Sequence, residues 1–440
     1  MKNNQLIDLS ENLIKFAKSK GAHEVQISIN TNNDFEVQIM NQEIEKLNQS
    51  NPTELNLKII IDKKVATASS SDMQQNTLEN LIINTIERAK LSSQDDFAGL
   101  PEKEEITFNT EQLEIFDPKI LKIKPEEKIQ FAKKIEKIGL DNPKIKVSTG
   151  SYYATSHGQN YLINSNGFQG FYEYTVCYAG GGFQSGEDDN LVEDYWSESH
   201  VKLSEMKSPE YIANKAIERV LRMIGAKKVK SQVVPVVFDP LMSASLLGFL
   251  VQCITGSSIY MKRSFLVDKL NTKIASEIVN IIDNPLLPAK IGSRPFDAEG
   301  VASKKINIIE NGILKNYLLD TYSARKLKMK STGHASGPGN LYLQQGHATP
   351  EEIISSVKNG LYLTKTIGQG TMPTTGDISK GAYGIWIENG KLTYPVAEIT
   401  FSGNLADMLN NITMIGNDLE FRSSINAPTI QIDNISISGT

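Results

Sequence analysis

In the run DFEVQIM, Phe35, Val37 and Ile39 alternate strictly with Glu36 and Gln38. A period of two sends successive side chains to opposite faces of a strand, so such a run can be buried on one side only. EVQISIN precedes it, and ELNLKIII and KVATASSS follow, so the early chain is committed to a half-buried sheet that something must cover. The flanking sequence supplies the cover. The N-terminus reads as an amphipathic helix on Leu6, Leu9, Leu13 and Ala17, and a second helix aligns Leu78, Leu81, Ile82, Thr85, Ile86 and Ala89. Residues 1–92 therefore form an α+β module.

The acidic, polar stretch 93–116 reads as a linker. Residues 117–226 repeat the order helix, strands, helix without residue-level similarity to the first module. Pro125 suits a helix start before Ile129, Ala132, Ile135 and Ile138. Asn166-Gly167 marks a tight turn between strands, and Ile212, Ala216, Val220 and Ile224 stamp the closing helix. Residues 227–440 are richer in strands. INIIENGILKNYLLD and YGIWIENGKLTYPVAEITF are two hairpins, each turning on Glu-Asn-Gly, because Asn-Gly tolerates the positive φ that a two-residue turn demands. The expected class is multi-domain α+β: two small helix-strand modules, then a larger, mostly antiparallel, β-rich C-terminal domain.

Charge and cysteine content narrow the function. With 46 Lys and Arg against 51 Asp and Glu, the chain lacks the basic surplus of a nucleic-acid binder. Cys177 and Cys253 are too few for a disulfide framework or a zinc ribbon. No run reaches the roughly 18 apolar residues of a membrane span, and the N-terminus lacks a signal-peptide core. A cytoplasmic protein with no membrane or nucleic-acid partner is expected.

Local motifs for catalysis are scarce. His23, His157, His200, His334 and His347 show no close metal-ligand spacing. Cys253 lies in the apolar stretch LMSASLLGFLVQCITGSS, where a thiol serves as a small buried hydrophobe. The loop STGHASGPGN fits no phosphate-binding pattern, and is either a surface loop or a substrate-contacting loop carrying His334. GSRPFDAEG sets Asp297 and Glu299 two apart, a spacing open to paired-carboxylate chemistry, but without visible partners the structural reading is favoured.

Three long motifs in order identify a relationship. GSRPFDAEGVASKKINIIENGILKNYLLDTYSARKLKMKSTGHASG is followed by TTGDISKGAYGIWIENGKLTYPVAEITFSGNLADML and then by IGNDLEFRSS. Together they closely resemble the C-terminal domain of the TldD/PmbA family, in its PmbA (TldE) branch. The resemblance is strongest over 233–425 and extends over nearly the whole chain.

That resemblance implies a role in a cytoplasmic two-subunit peptidase acting on unfolded peptides. The family's TldD-type subunit carries an HExxxH helix whose histidines hold zinc and whose glutamate is the general base, with a further cysteine ligand near its C-terminus. Aligned on the trailing GSSIYMKRSFL, the motif falls on Leu247 to Gln252 of this chain. Leu247 stands at the first histidine, Gly248 at the glutamate and Gln252 at the second histidine, and no cysteine follows Cys253. The expectation is a chain with no catalytic residues and no cofactor of its own, zinc residing in a TldD-type partner. Phe296, Asp297, Glu299, Gly333 and His334 are candidate contacts to the peptide or its chamber. A self-associating, homodimeric binding protein without peptidase activity is the alternative, and a hydrolase built on Asp297, Glu299 and His334 a third reading.

Overall fold

The computed structural model describes residues 3–102, 110–187 and 191–440. Helix α1 (Asn3–Ser19) leads into β1 (Glu24–Met40), β2 (Glu43–Ser50), β3 (Thr53–Ile61) and β4 (Lys64–Ser70), and α2 (Gln75–Leu91) follows. After the next segment come α3 (Pro125–Leu140), β5 (Ile145–Asn164), β6 (Gln169–Ser185), β7 (Val192–His200) and α4 (Pro209–Leu221). The strands of both N-terminal modules join in one seven-stranded sheet, ordered β4-β3-β1-β5-β6-β7 with β2 alongside β1.

The joint is β1 against β5, antiparallel from Gln26 opposite Asn164 to Ile39 opposite Ser151. Val25, Ile27 and Ile29 in the first half of β1 pack with α1 and α2. Phe35, Val37 and Ile39 in its second half pack with Ala132 and Ile135 of α3 and Ile212 of α4. One long alternating strand thus supplies the apolar face for two pairs of helices. Helix α4 stops at Leu221, so Ile224 lies beyond it and is exposed rather than buried as its spacing suggested.

The segment expected to be a linker is packed where it is described. Ala98, Leu100, Leu113 and Ile115 are buried. Arg325, on the short helix Thr321–Lys326, donates to the carbonyls of Phe97 (3.2 Å), Gly99 (2.9 Å) and Leu100 (2.7 Å). Residues 103–109 of that segment lie outside the described residues.

The C-terminal part opens with β8 (Gln232–Phe238) and α5 (Pro240–Ile254). A small five-stranded sheet follows, built from β9 (Ile281–Asp283), β10 (Ile306–Glu310), β11 (Ile313–Leu314), β12 (Leu341–Leu343) and, later in the chain, β18 (Ile425–Asn426). The larger sheet takes β8 together with β13 (Asn359–Ile367), β14 (Thr371–Met372), β15 (Asp377–Glu388), β16 (Lys391–Asn404), β17 (Ile412–Ile415) and β19 (Ile430–Ser438). Its order is β13-β8-β19-β16-β15, and because β15 also pairs with β13 the five strands close into a ring. The β8–β13 and β12–β18 pairs are parallel and the remaining pairs among these strands antiparallel. Helix α5 packs between the closed ring and the small sheet, and its buried side chains join one apolar core with residues of both.

Candidate functional site

Helix α5 starts where the backbone requires it. Pro240 occupies the first turn, and the buried Asp239 carboxylate caps it by accepting from the Met242 N–H at 2.8 Å. Leu246, Leu247, Phe249, Leu250, Val251, Cys253 and Ile254 are buried, as the apolar run predicts. Desolvation pushes the Cys253 thiol up to about 12, which leaves it a buried hydrophobe and no nucleophile at neutral pH. The other edge of the helix is open. Leu241, Ser245 and Gln252 are exposed, and a Cβ added at Gly248 would meet no atom within 4 Å. Spacings of four, three and four residues put these positions in one stripe.

Of the three positions under the HExxxH pattern, Gly248 and Gln252 share this open stripe, whereas Leu247 turns into the core at 3% exposure. A hydrocarbon, a hydrogen and one amide do not make a zinc site, which needs nitrogen, thiolate or carboxylate donors converging within about 2.3 Å. Among the described residues no group of three His, Cys, Asp or Glu side chains is placed to hold a metal ion. The residues present do not fit the family's zinc.

The 415–424 segment, which the resemblance sets against the family's C-terminal cysteine, leads into β18, which packs against α5. Arg422 and Ser423 donate their N–H groups to the Asn426 side chain at 2.8 and 3.1 Å. The Arg422 guanidinium lies 4.2 Å from the Trp196 ring centroid, 3.4 Å from Glu198 and 2.6 Å from Glu420. Burial works to raise the Glu198 carboxyl. The His200 hydrogen bond (3.0 Å), the Arg422 charge and the Trp196 indole N–H (2.9 Å) together hold it below the ordinary carboxylate range.

The five candidate contact residues are brought together, but inside the protein. Phe296 stacks edge-on against Phe168 (5.1 Å) and Tyr172 (5.2 Å) from the β5–β6 hairpin. Asp297 accepts from the N–H groups of Glu299 (2.9 Å), Val301 (3.0 Å) and Ala335 (3.0 Å), closing a turn. Glu299 accepts from the Thr321 N–H at 2.8 Å and sits 3.7 Å from Lys58 of β3. Gly333 holds φ 76° beneath the Ala302 carbonyl, a conformation that favours glycine. His334 is hydrogen-bonded at both ring nitrogens, by Thr332 (2.9 Å) and Asp283 (2.9 Å). Asp297, Glu299 and His334 are each under 9% exposed. Only the Glu299–Lys58 pair reaches the N-terminal sheet, while Asp297 and His334 bond within the C-terminal part, so each of the three polar side chains already has partners in this chain.

Sequence reasoning missed a small crevice beside the first turns of α5. Its walls are Phe238, Met242, Leu246, Leu363, Ile378 and Phe401 and its polar groups Ser245, Thr366 and Lys380, and at about 10 Å³ it has room for no more than about one water molecule. These residues come from β8, α5, β13, β15 and β16, and no local pattern joins them.

Comparison with known proteins gives one answer. Residues 118–224 match the family profile described as the PmbA/TldA metallopeptidase central domain, and residues 231–439 that of the PmbA/TldA metallopeptidase C-terminal domain. The chain is 33% identical over 423 residues to metalloprotease PmbA of Escherichia coli O157:H7, spanning 96% of this chain and 93% of that protein. A crystal structure from Bacteroides thetaiotaomicron, described as a candidate modulator of DNA gyrase, superposes with a TM-score of 0.95 at 30% identity over 100% of both chains. TldE from Thermococcus kodakarensis shares the fold, with a TM-score of 0.89 at 22% identity over 98% of this chain and 100% of that one.

Proposed function

The chain belongs to the PmbA/TldD metallopeptidase family, and from that premise we propose that it is a PmbA-type subunit without zinc chemistry of its own, acting beside a TldD-type chain. The observation that carries the proposal is the open face of α5. A helix in the place of the zinc helix presents Gly248 and Gln252 outward and buries Leu247. Zinc and its general base belong to the TldD-type partner, and the pair acts on unfolded peptides in the cytoplasm. Among the described residues no helix is long and apolar enough to cross a membrane, which agrees with that setting. This chain contributes part of the chamber wall and strand edges that hold an extended peptide through its backbone, a mode tolerant of peptide sequence.

Metal analysis and peptide digestion test the reading together. The purified chain alone should bind no stoichiometric zinc and cleave no unfolded peptide. Mixed with an HExxxH-bearing family member, it should co-elute with that chain, and chelator-sensitive cleavage should require both. Chelator-sensitive cleavage by the single chain at the rate of the mixture would sink the proposal.

A further inference from the structure

Helices α1 to α4 all pack on one face of the seven-stranded sheet. On the opposite face Asp34 of β1 shares a rung with Ser156 of β5 and Val176 of β6. Tyr174 and Tyr178 stand on β6 two residues to either side of Val176, so they flank that rung on the same face. Asp34, Tyr174 and Tyr178 are each partly exposed. The Tyr174 ring leans across Gly158 of β5, where an added Cβ would come within 2.3 Å of it, and it is backed by the buried cluster of Leu113, Ile115 and Val201. Burial first, and then neighbouring charges that include Asp34, push both tyrosine hydroxyls above their ordinary value, so the rings are neutral at pH 7.

The charge on this face is uncompensated. Asp34 accepts from the Ser156 hydroxyl at 2.6 Å, and among the described residues it has no ion-pair partner. Lys46 of β2, on the same face, is committed to Glu36 at 3.1 Å. A carboxylate without a counter-charge, flanked by aromatic rings, is complementary to a cation. Arginine suits it better than lysine, because a planar guanidinium stacks on a ring while donating two hydrogen bonds to one carboxylate. A nucleic-acid strand also stacks on aromatic rings, but it brings phosphates that Asp34 repels. An extended peptide sends alternate side chains to one side, so an arginine in register delivers its guanidinium to the face.

We propose that the open sheet face at Asp34, Tyr174 and Tyr178 binds the arginine side chains of unfolded peptides, the guanidinium paired with Asp34 and stacked on the tyrosine rings. The inference rests on the peptide-handling role above and names arginine-bearing peptides as the class this chain favours.

The full chain is titrated alone, with neither zinc nor partner, so the test can fail while pairing with a TldD-type chain stands, and the reverse. The ligands are acetyl-Gly-Ser-Arg-Ser-Gly amide and the same peptide with citrulline, which keeps the shape of arginine and removes its charge. By ligand-observed NMR in low salt the arginine peptide should bind at least about fivefold tighter, the combined worth of a partly exposed ion pair and a cation–π contact. The preference should shrink at high salt. Asp34→Asn keeps an oxygen for the Ser156 hydroxyl, and with an unchanged circular-dichroism spectrum it should erase the preference. Tyr178→Phe should retain the preference, and Tyr178→Leu should weaken binding of the arginine peptide. Equal binding of the two peptides, no binding by the folded chain, or an intact preference in Asp34→Asn would overturn the proposal. So would loss of co-elution with the TldD-type chain in Asp34→Asn, since the occupant of the face would then be the partner.

Discussion

A single methyl group separates two helical glycines in this chain. A Cβ at Gly248 meets nothing within 4 Å, so Gly248→Ala gains helix propensity without a clash and should stabilise the chain by about 0.5–1 kcal/mol. At Gly139, near the end of α3, the same atom would lie 2.0 Å from the fully buried Phe183 ring. Gly139→Ala should therefore destabilise by about 1–3 kcal/mol, as overpacked cores do. Urea-unfolding midpoints of the two variants should move in opposite directions, and a shared direction would contradict the placement of α3 or α5. The contrast also marks what single residues disclosed beforehand. That Leu247, Gly248 and Gln252 are neither acids nor bases is readable directly, because a side-chain type needs no tertiary context to be recognised. The roles of Asp297, Glu299 and His334 are not. Their partners Ala335, Lys58, Thr321 and Asp283 lie tens to hundreds of residues away, so spacing alone left catalytic and structural readings alike.

At the scale of elements, the start of α5 couples the helix to the central part through charge. The Asp239 cap lies 3.7 Å from Arg219 of α4, which in turn lies 3.1 Å from Asp194 of β7. Burial outweighs the hydrogen bond from Met242 and the nearby arginines, and pushes the Asp239 carboxyl up to about 6 from an ordinary 3.8. Between those values the native state holds more protons than the unfolded chain, so stability falls as pH rises from about 4 to about 6. Asp239→Asn keeps a capping oxygen and removes the titration. Relative to the parent it should gain on the order of 2 kcal/mol across that pH window and nothing further above it, measured by thermal unfolding at stepped pH. A constant difference from pH 4 to 7 would show that Asp239 does not titrate there. Elements were otherwise the most readable level. Both Glu-Asn-Gly hairpins form as expected, with Asn311 at φ 49° and Gly312 at 77°, and Asn389 at 50° and Gly390 at 76°. Asn166-Gly167 likewise lies in the tight turn between β5 and β6, with Gly167 alone at positive φ and the Asn164 side chain accepting from the Asn166 and Phe168 N–H groups. Local chemistry determines a two-residue turn, whereas a longer one draws on side chains outside the pair.

At the scale of the whole molecule, polar contacts join its parts alongside apolar clusters such as Phe168 with Phe296. The strand pairing of β1 with β5 unites segments more than a hundred residues apart, and no periodicity within either strand encodes its partner. That is why the sequence could be divided into modules without showing that two of them share a sheet. The joint between β7 and the 420–424 segment depends on Arg422, which meets Glu198 at 2% exposure and covers Trp196. Arg422→Met keeps an unbranched apolar stem but leaves Glu198 buried beside Trp196 and His200 alone. Breaking such a buried pair costs about 3–5 kcal/mol, more than the pair itself contributes, since the abandoned carboxylate keeps its desolvation penalty. Glu198→Gln removes that penalty. The double variant should therefore recover part of the loss, with a coupling above about 1 kcal/mol in a double-mutant cycle read by urea unfolding. Because the same arginine fixes the segment that packs beside α5, Arg422→Met should also speed amide hydrogen exchange across Glu420–Ser424 more than in β16. Additive losses with unchanged exchange would mean that apolar packing, rather than this ion pair, holds the segment against the central sheet.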